Sequence, residues 1–235
     1  MTTEPIDGRW AGELVGPWET GRFRLFVSHT STNAPFAQEI REALRQIEVD
    51  ALVAHASLSA TTEWQREIES ALRTCDALVA LLTPDFSRSE WCNQEVGYAM
   101  ARGALVIPVR LGAAPHGFLG KYQALTPQVG GSGRTLAPAL LEVLARHTLT
   151  SFKMAQPITV CYSRSNSHYS ARKALRLLQH IPYENWTAAL VQSVQDAAAT
   201  NQNIREAMVL PDADHTVAEA ATDYLASLGL ADSWT

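Results

Sequence analysis

The stretch Ala77-Leu-Val-Ala-Leu-Leu-Thr-Pro-Asp-Phe-Ser-Arg-Ser-Glu-Trp-Cys-Asn-Gln-Glu95 decides the fold class of this chain. It opens with six consecutive apolar residues, which is typical of a strand buried on both sides. A predicted helix over 90–102 follows, and residues 105–109 then form a further apolar strand. Strands of this kind occur in parallel sheets that carry helices on both faces. The stretch therefore predicts an α/β fold with a parallel sheet.

The sequence upstream repeats the same succession of strand and helix. Residues 24–28 are a short apolar strand candidate, and residues 35–44 place apolar side chains at helical spacing. Residues 49–54 are a second strand candidate. A second helix is predicted to begin where Thr62 and Gln65 match a capping box. The apolar face of that helix contains Trp64, Ile68, Ala71, Leu72 and Cys75.

Downstream, a weak strand near Gln128 and a helix over 136–146 are predicted to close a first domain of residues 22–148. Residues 1–21 are rich in glycine and show no sustained period, which predicts a leader that packs only locally. Residues 152–235 are predicted to form a mainly helical C-terminal region of unknown role. Its predicted elements are a strand over 158–162 and helices over 171–180, 185–199 and 217–228.

The composition excludes several classes of protein. Of 235 residues, 46% are hydrophobic, and the net charge of −5 is small, so disorder is not expected as the dominant state. A charge this weak does not indicate a nucleic-acid partner. The sequence has neither an 18-residue apolar stretch nor the features of a signal peptide. We therefore expect no membrane association and a cytoplasmic location. The three cysteines form no C-x-x-C pair, so we also expect reduced thiols and no metal site.

Three short segments carry a resemblance to a known family. They are Phe26-Val-Ser-His29, Thr62-Glu-Trp64 and Ser89-Glu-Trp-Cys-Asn-Gln-Glu95. Together they resemble a Toll/interleukin-1 receptor (TIR) domain of the prokaryotic, NAD-cleaving subgroup, over about residues 22–147. The resemblance implies a flavodoxin-like parallel sheet with helices on both faces. The chain departs from the family at Asn33, where an acidic residue is usual, and in residues 57–62, which lack the usual glycine.

The resemblance also implies an activity and a site. Glu95 matches the essential glutamate of TIR domains that cleave NAD+, which is here a substrate and not a cofactor. A carboxylate near the carboxyl edge of a parallel sheet suits this chemistry, because breaking the nicotinamide–ribose bond develops positive charge on the ribose. Trp91 lies one helical turn earlier and is expected to stack on a flat heterocycle. Phe26 and Ser28 are expected to line the other side of the cleft, with Trp64 at its entrance.

Other interpretations of these residues stay open at this point. Trp91 and Trp64 have the spacing of core anchors as well as of stacking platforms. Ser28 is interpreted as a hydrogen-bonding group at a strand end and not as a nucleophile, because no His/Asp pattern accompanies it. Cys92 is interpreted as a small buried hydrophobic residue. The product is either ADP-ribose or a cyclic isomer of it, depending on the attacking nucleophile.

The family resemblance implies a role in antiviral defence, activation by self-assembly through the TIR domain, and a separate effector that responds to the nucleotide product. The alternative is a non-catalytic adaptor that signals by TIR–TIR interaction. In the C-terminal region, a partly basic stripe recurs every fourth residue and indicates either a solvated helix face or a contact for phosphate or a partner. The stripe contains His168, Arg172, Arg176 and His180. The C-terminal region is also a candidate sensor or oligomerisation element.

Overall fold

The first domain is built on a four-stranded parallel sheet. The structure is a computed structural model that describes residues 16–53, 62–210 and 213–230, with the backbone alone for residues 62–64. The strands are β1 (Phe23–Ser28), β2 (Val49–Val53), β3 (Ala77–Leu82) and β4 (Leu105–Arg110), in the order β2-β1-β3-β4. All neighbouring pairs run parallel. The predicted α/β class and parallel sheet are confirmed.

Helices cover both faces of this sheet. Helices α1 (Ala34–Arg45) and α4 (Gly133–Arg146) pack on one face, and α2 (Thr62–Thr74) and α3 (Glu90–Ala101) pack on the other. Because successive strand side chains point to opposite faces, each strand contributes to two separate cores. All six side chains of β3 are buried, as its continuous apolar sequence predicts.

The close contact between α1 and α4 depends on Gly133. A Cβ atom at this position would lie 2.3 Å from the carbonyl oxygen of Phe36. The amide of Gly133 also donates a 2.8 Å hydrogen bond to the Glu39 carboxylate. Since no side chain fits into this gap, the approach of the two helices requires glycine.

The weak strand predicted near Gln128 is wrong. The chain makes a single parallel bridge there, between Val109 and Leu125. Two backbone hydrogen bonds hold it, from Arg110 to Leu125 and from Leu125 to Pro108. Glycine and proline on either side of Leu125 leave too short an apolar run for a full strand. Residues 126–132 continue without strand or helix to α4.

The C-terminal region is helical, as predicted. It contains α5 (Ser151–Ser163), α6 (His168–Leu178), α7 (Ala188–Thr200), α8 (Gln202–Glu206) and α9 (Val217–Ser227). The strand predicted over 158–162 is wrong, because these residues lie inside α5. Met154, Ile158 and Tyr162 follow one another at helical spacing and are all buried. A short apolar run does not distinguish a strand from a buried helix, and here packing of this helical face decides.

The C-terminal helices share a core with the first domain. Met154, Ile158 and Tyr162 of α5 belong to the same apolar cluster as Leu25 of β1 and Leu44 of α1. The turn between α4 and α5 is also fixed, since the buried Thr150 hydroxyl donates a 2.7 Å hydrogen bond to the Leu144 carbonyl. This region is therefore packed onto the sheet domain.

Two ion pairs add to this contact. Lys153 lies 2.5 Å from the Asp76 carboxylate at the start of β3. Arg164 lies 2.7 Å from the Glu48 carboxylate before β2. Both carboxylates sit at the amino ends of strands, so the C-terminal helices cover the amino edge of the sheet.

The predicted leader packs more widely than expected. The indole of Trp18 donates a 2.7 Å hydrogen bond to Thr74, at the end of α2. Glu19 forms ion pairs with Arg22 and with Arg45 of α1. The expectation of purely local packing is thus wrong for residues 16–21, because Trp18 buries part of its ring against the second core. Residues 1–15 lie outside the described ranges. Within those ranges, no helix is long and apolar enough to span a bilayer.

Candidate active site

The candidate site lies at the carboxyl edge of the sheet, where β1 and β3 end side by side. Ser28, the last residue of β1, is in register with Ala80 of β3. After β3 the chain makes a short 3-10 turn and enters α3, whose N-cap Ser89 accepts a hydrogen bond from the Cys92 amide. This cap fixes the start of α3, and the helix then passes over the end of β1.

Glu95 is placed on the buried face of α3. Only 6% of this residue is exposed, and Cys92, Val96 and Ala99 on the same face are also buried. The hydroxyl of Ser28 donates a 2.5 Å hydrogen bond to Oε2 of Glu95. The structure therefore brings together two of the residues predicted for the site, from segments far apart in sequence.

Burial changes the acidity of this carboxyl. Removal from water raises the pKa of Glu95 to about 7, and the hydrogen bond from Ser28 opposes the rise. Near neutral pH the side chain is consequently distributed between the protonated and ionised forms. A carboxyl group whose pKa is raised in this way is typical of catalytic sites.

The other predicted residues are placed as follows. Trp91, one turn before Glu95, is 40% exposed, so it is a surface ring and not a core anchor. Phe26 is fully buried in the core between the sheet and helices α2 and α3, where it supports β1 two residues below Ser28. In this position it offers no surface to a ligand, contrary to its predicted place in the cleft. The side chains of Thr62 and Trp64 lie outside the described ones, so the capping box of Thr62 with Gln65 and the place of Trp64 at the cleft entrance stay predictions.

Cys92 lies beside Glu95 on the helix face. The thiol is buried, and burial raises its pKa above the ordinary value. This agrees with its interpretation as a small buried hydrophobic residue. Among the described residues, no three His, Cys, Asp or Glu side chains converge as a metal site would require.

A network of hydroxyl groups borders the site and was not predicted. The Thr83 hydroxyl donates a 2.5 Å hydrogen bond to Asp85, and the Thr32 hydroxyl donates a 3.1 Å hydrogen bond to the same carboxylate. Asn33 donates hydrogen bonds to Thr30 and Thr32. The network joins the loop after β1 to the loop after β3.

Asp85 supplies an acidic group at this edge of the sheet. The hydrogen bond from Thr83 holds the pKa of the Asp85 carboxyl below its ordinary value, so it is ionised at neutral pH. The sequence signal was a Thr-x-Asp directly after one strand and a Thr-x-Thr-Asn after its neighbour. Because the carboxyl ends of adjacent parallel strands meet at one edge of the sheet, these two polar segments could have been predicted to lie side by side.

Comparison with known proteins agrees with this arrangement. A family model described as TIR domain matches residues 25–137, which include the last four residues of β1 and all of α3. A protein of Brachypodium distachyon, named as a probable 2′ cyclic ADP-D-ribose synthase, is 24% identical to the chain over 131 residues. That alignment covers 55% of this chain and 56% of the relative, so the chain spans little more than half the relative's length.

Proposed function

Because residues 25–137 of this chain are a TIR domain, we propose that the protein cleaves NAD+ between nicotinamide and ribose. The observation that carries the proposal is the buried Glu95 carboxyl held by Ser28 at the carboxyl edge of the sheet. The name of the Brachypodium relative, which is that of an enzyme making a cyclic ADP-ribose, supports an activity of this class.

Glu95 acts in its ionised form. As nicotinamide leaves, the ribose gains oxocarbenium character, and a carboxylate in a poorly solvated site stabilises that charge strongly. Nicotinamide departs as a neutral molecule, so no acid has to protonate it. Ser28 orients the carboxylate by donating to one of its oxygens. The other oxygen is left to face the ribose.

Trp91 provides an aromatic surface one turn from Glu95. Its half-exposed ring offers a face on which nicotinamide or adenine stacks while the ribose reaches Glu95. The nucleophile that then attacks the anomeric carbon determines the product. Water gives ADP-ribose, whereas an atom of the substrate's own adenosine end gives a cyclic isomer. Chromatography against standards of both distinguishes these products.

Self-assembly activates the enzyme in this proposal. With 6% of Glu95 exposed, a single chain gives the ribose little access to the carboxylate. Contact with a neighbouring TIR domain provides the change that opens and completes the cleft. We further propose that the nucleotide product serves antiviral defence through a separate effector. The free cysteines fit a reducing compartment such as the cytoplasm.

The test is nicotinamide release from NAD+ by concentrated protein. Glu95→Gln keeps the size and a hydrogen-bond acceptor for Ser28 but removes the charge, and we expect release to fall by at least about 100-fold, as for loss of one strong electrostatic group. Glu90→Gln is the matched control, because Glu90 is an exposed glutamate on the same helix. Undiminished release by Glu95→Gln overturns the site assignment.

The adaptor is the second candidate function. Exposed aromatic residues Trp91 and Tyr98 lie on the same helix, where a partner TIR domain could dock on them. The two functions differ in one result. An adaptor assembles in light-scattering experiments yet releases no nicotinamide at any protein concentration, whereas the enzyme releases more per chain as it assembles.

A further inference from the structure

A second concave site lies at the opposite edge of the sheet from Glu95. This basic groove has a volume of about 1000 Å³ and lies between the C-terminal end of α1, the loop that leads to β2, and helices α5 and α6. Nucleotide and drug-sized ligands occupy cavities of roughly 300–1000 Å³. The groove is therefore large enough for a nucleotide.

The charge in the basic groove is opposite to that of the whole chain. Two glutamates line it, Glu42 and Glu48, in a protein of net charge −5. The basic side chains that line it outnumber them and come from several different segments. They are Arg22, Arg45, Arg134, Arg164 and Lys173. A local excess of positive charge in a concave site favours an anionic ligand.

The four arginines of the groove pair with three carboxylates. Glu48 pairs with both Arg22 and Arg164, Glu19 pairs with both Arg22 and Arg45, and Glu42 pairs with Arg134. Arg45 and Arg164 are themselves more than half exposed. Exposed ion pairs of this kind contribute only about 0–1 kcal/mol, so these guanidinium groups can turn to a phosphate at little cost.

Lys173 is the cation that the carboxylates do not neutralise. In the part of the chain that the structure describes, no Asp or Glu lies within ion-pair distance of its ammonium group. Beside it on α6, Tyr169 is 72% exposed at the groove. A cation beside an uncovered aromatic ring suits a ligand with both a phosphate and a base.

Backbone strain marks the same place. Glu48, with φ of 56°, is the non-glycine residue of the described ranges that adopts the left-handed conformation. This conformation costs free energy for a residue with a side chain. It places the carboxylate between Arg22 and Arg164, the guanidinium groups of the groove wall.

We propose that the basic groove binds a nucleoside diphosphate. Lys173 and the exposed guanidinium groups hold the two phosphates, and the ring of Tyr169 stacks on the base. This site is separate from the Glu95 cleft, and its existence does not depend on whether the chain cleaves NAD+.

The first test measures binding of ADP to the full chain by calorimetry at low salt. Lys173→Glu reverses the charge of the unneutralised cation, and we expect it to weaken ADP binding by about tenfold or more. Arg176→Glu is the matched control, because Arg176 is a basic residue exposed on the same helix but outside the groove. Equal affinity for wild type and Lys173→Glu, equal weakening by both variants, or no saturable binding overturns the proposal.

The second test locates the bound ligand. Cys161 lines the groove and is partly exposed, whereas Cys75 and Cys92 are buried, so a maleimide labels Cys161 first. Saturating ADP is expected to slow this labelling severalfold, as read by mass spectrometry. ADP that binds without changing the labelling rate is in another site, such as the Glu95 cleft, and contradicts the proposal.

The third comparison separates the contributions of phosphate and base. We expect inorganic pyrophosphate to bind more weakly than ADP and adenosine to bind negligibly. Tyr169→Ala should lower the affinity for ADP and leave that for pyrophosphate unchanged. Equal binding of ADP and pyrophosphate to wild type overturns the assignment of a base-stacking role and with it the nucleotide specificity.

Discussion

Ser28 donates a 2.5 Å hydrogen bond to Glu95 across 67 residues of sequence, and both side chains are buried. The bond joins the end of β1 to the first helical turns after β3. It also favours the ionised form of a carboxyl that burial alone would keep protonated. The ionisation of Glu95, which the proposed reaction requires at neutral pH, therefore depends on a residue of strand β1.

Ser28→Ala should change the pH dependence of nicotinamide release. Wild-type release is expected to rise with pH through about 7, as Glu95 ionises. Loss of the hydrogen bond raises the pKa of Glu95 further, so the midpoint moves up by about one pH unit. A pH–rate profile measures this shift. Ser31→Ala, at an exposed serine just after β1, is expected to keep the wild-type midpoint. An unshifted profile for Ser28→Ala contradicts the coupling.

Glu95→Gln should make the protein more stable in alkaline solution. The pKa of Glu95 in the folded protein, about 7, is above its ordinary value of 4.5. The protonated carboxyl therefore contributes fully to the free energy of unfolding below pH 4.5. This contribution is lost as pH rises through 7, where Glu95 ionises in the folded protein. Above that pH, the variant is expected to exceed wild type by about 3 kcal/mol in free energy of unfolding. Urea unfolding at several pH values tests this, and parallel pH curves for the two proteins would exclude a raised pKa.

Asp85→Asn should loosen the two loops at the site. Because the pKa of Asp85 is lowered in the folded protein, its negative charge stabilises the folded state at pH values above those at which aspartate ordinarily titrates. This contribution is lost as the pH falls through the pKa of Asp85 in the folded state. We expect the variant to be less stable than wild type at pH 7 and to approach it in acid. Asp214→Asn, outside the network, should show no such convergence. The measurement is thermal unfolding across pH.

Ile158→Ala should destabilise the entire chain. Ile158 is fully buried in the core shared by α5 and the sheet, and removal of such a side chain costs about 2–5 kcal/mol. A fragment ending at His147 exposes the apolar residues that α5 covers, so we expect it to aggregate or remain unfolded. Circular dichroism and size-exclusion chromatography of the Ile158→Ala variant and of the fragment test these two expectations. A stable, monomeric fragment would show that the sheet domain does not need α5.

The sequence predicted the elements whose apolar pattern has one interpretation. The run from Ala77 to Leu82 forms β3 with those same bounds, and the helix predicted from Glu90 begins there, because Ser89 caps it. The run from Ile158 to Tyr162 was misassigned, since a short apolar segment fits a strand and a buried helix equally well until its packing partners are known.

The site was predicted in part. Glu95 and Ser28 were both named from their motifs, but their hydrogen bond depends on the register of β1 against β3 and on the path of α3. Phe26 was placed in the cleft because it lies with Ser28 at the end of the first strand, yet its side chain is buried in the core beneath α2 and α3. The raised pKa of Glu95 follows from three-dimensional burial, which the sequence pattern does not express.

The buried turn at Thr150 has a consequence for regulation. Its hydroxyl is bonded to Leu144, and the helices on either side of it belong to one core. We therefore expect the C-terminal helices to stay packed on the sheet and the two parts to unfold in one cooperative transition. We expect any signal received by these helices to reach the Glu95 site as a small displacement carried through the sheet. β1 offers such a route, because it runs from the residue after Arg22 in the wall of the basic groove to Ser28 at the Glu95 site.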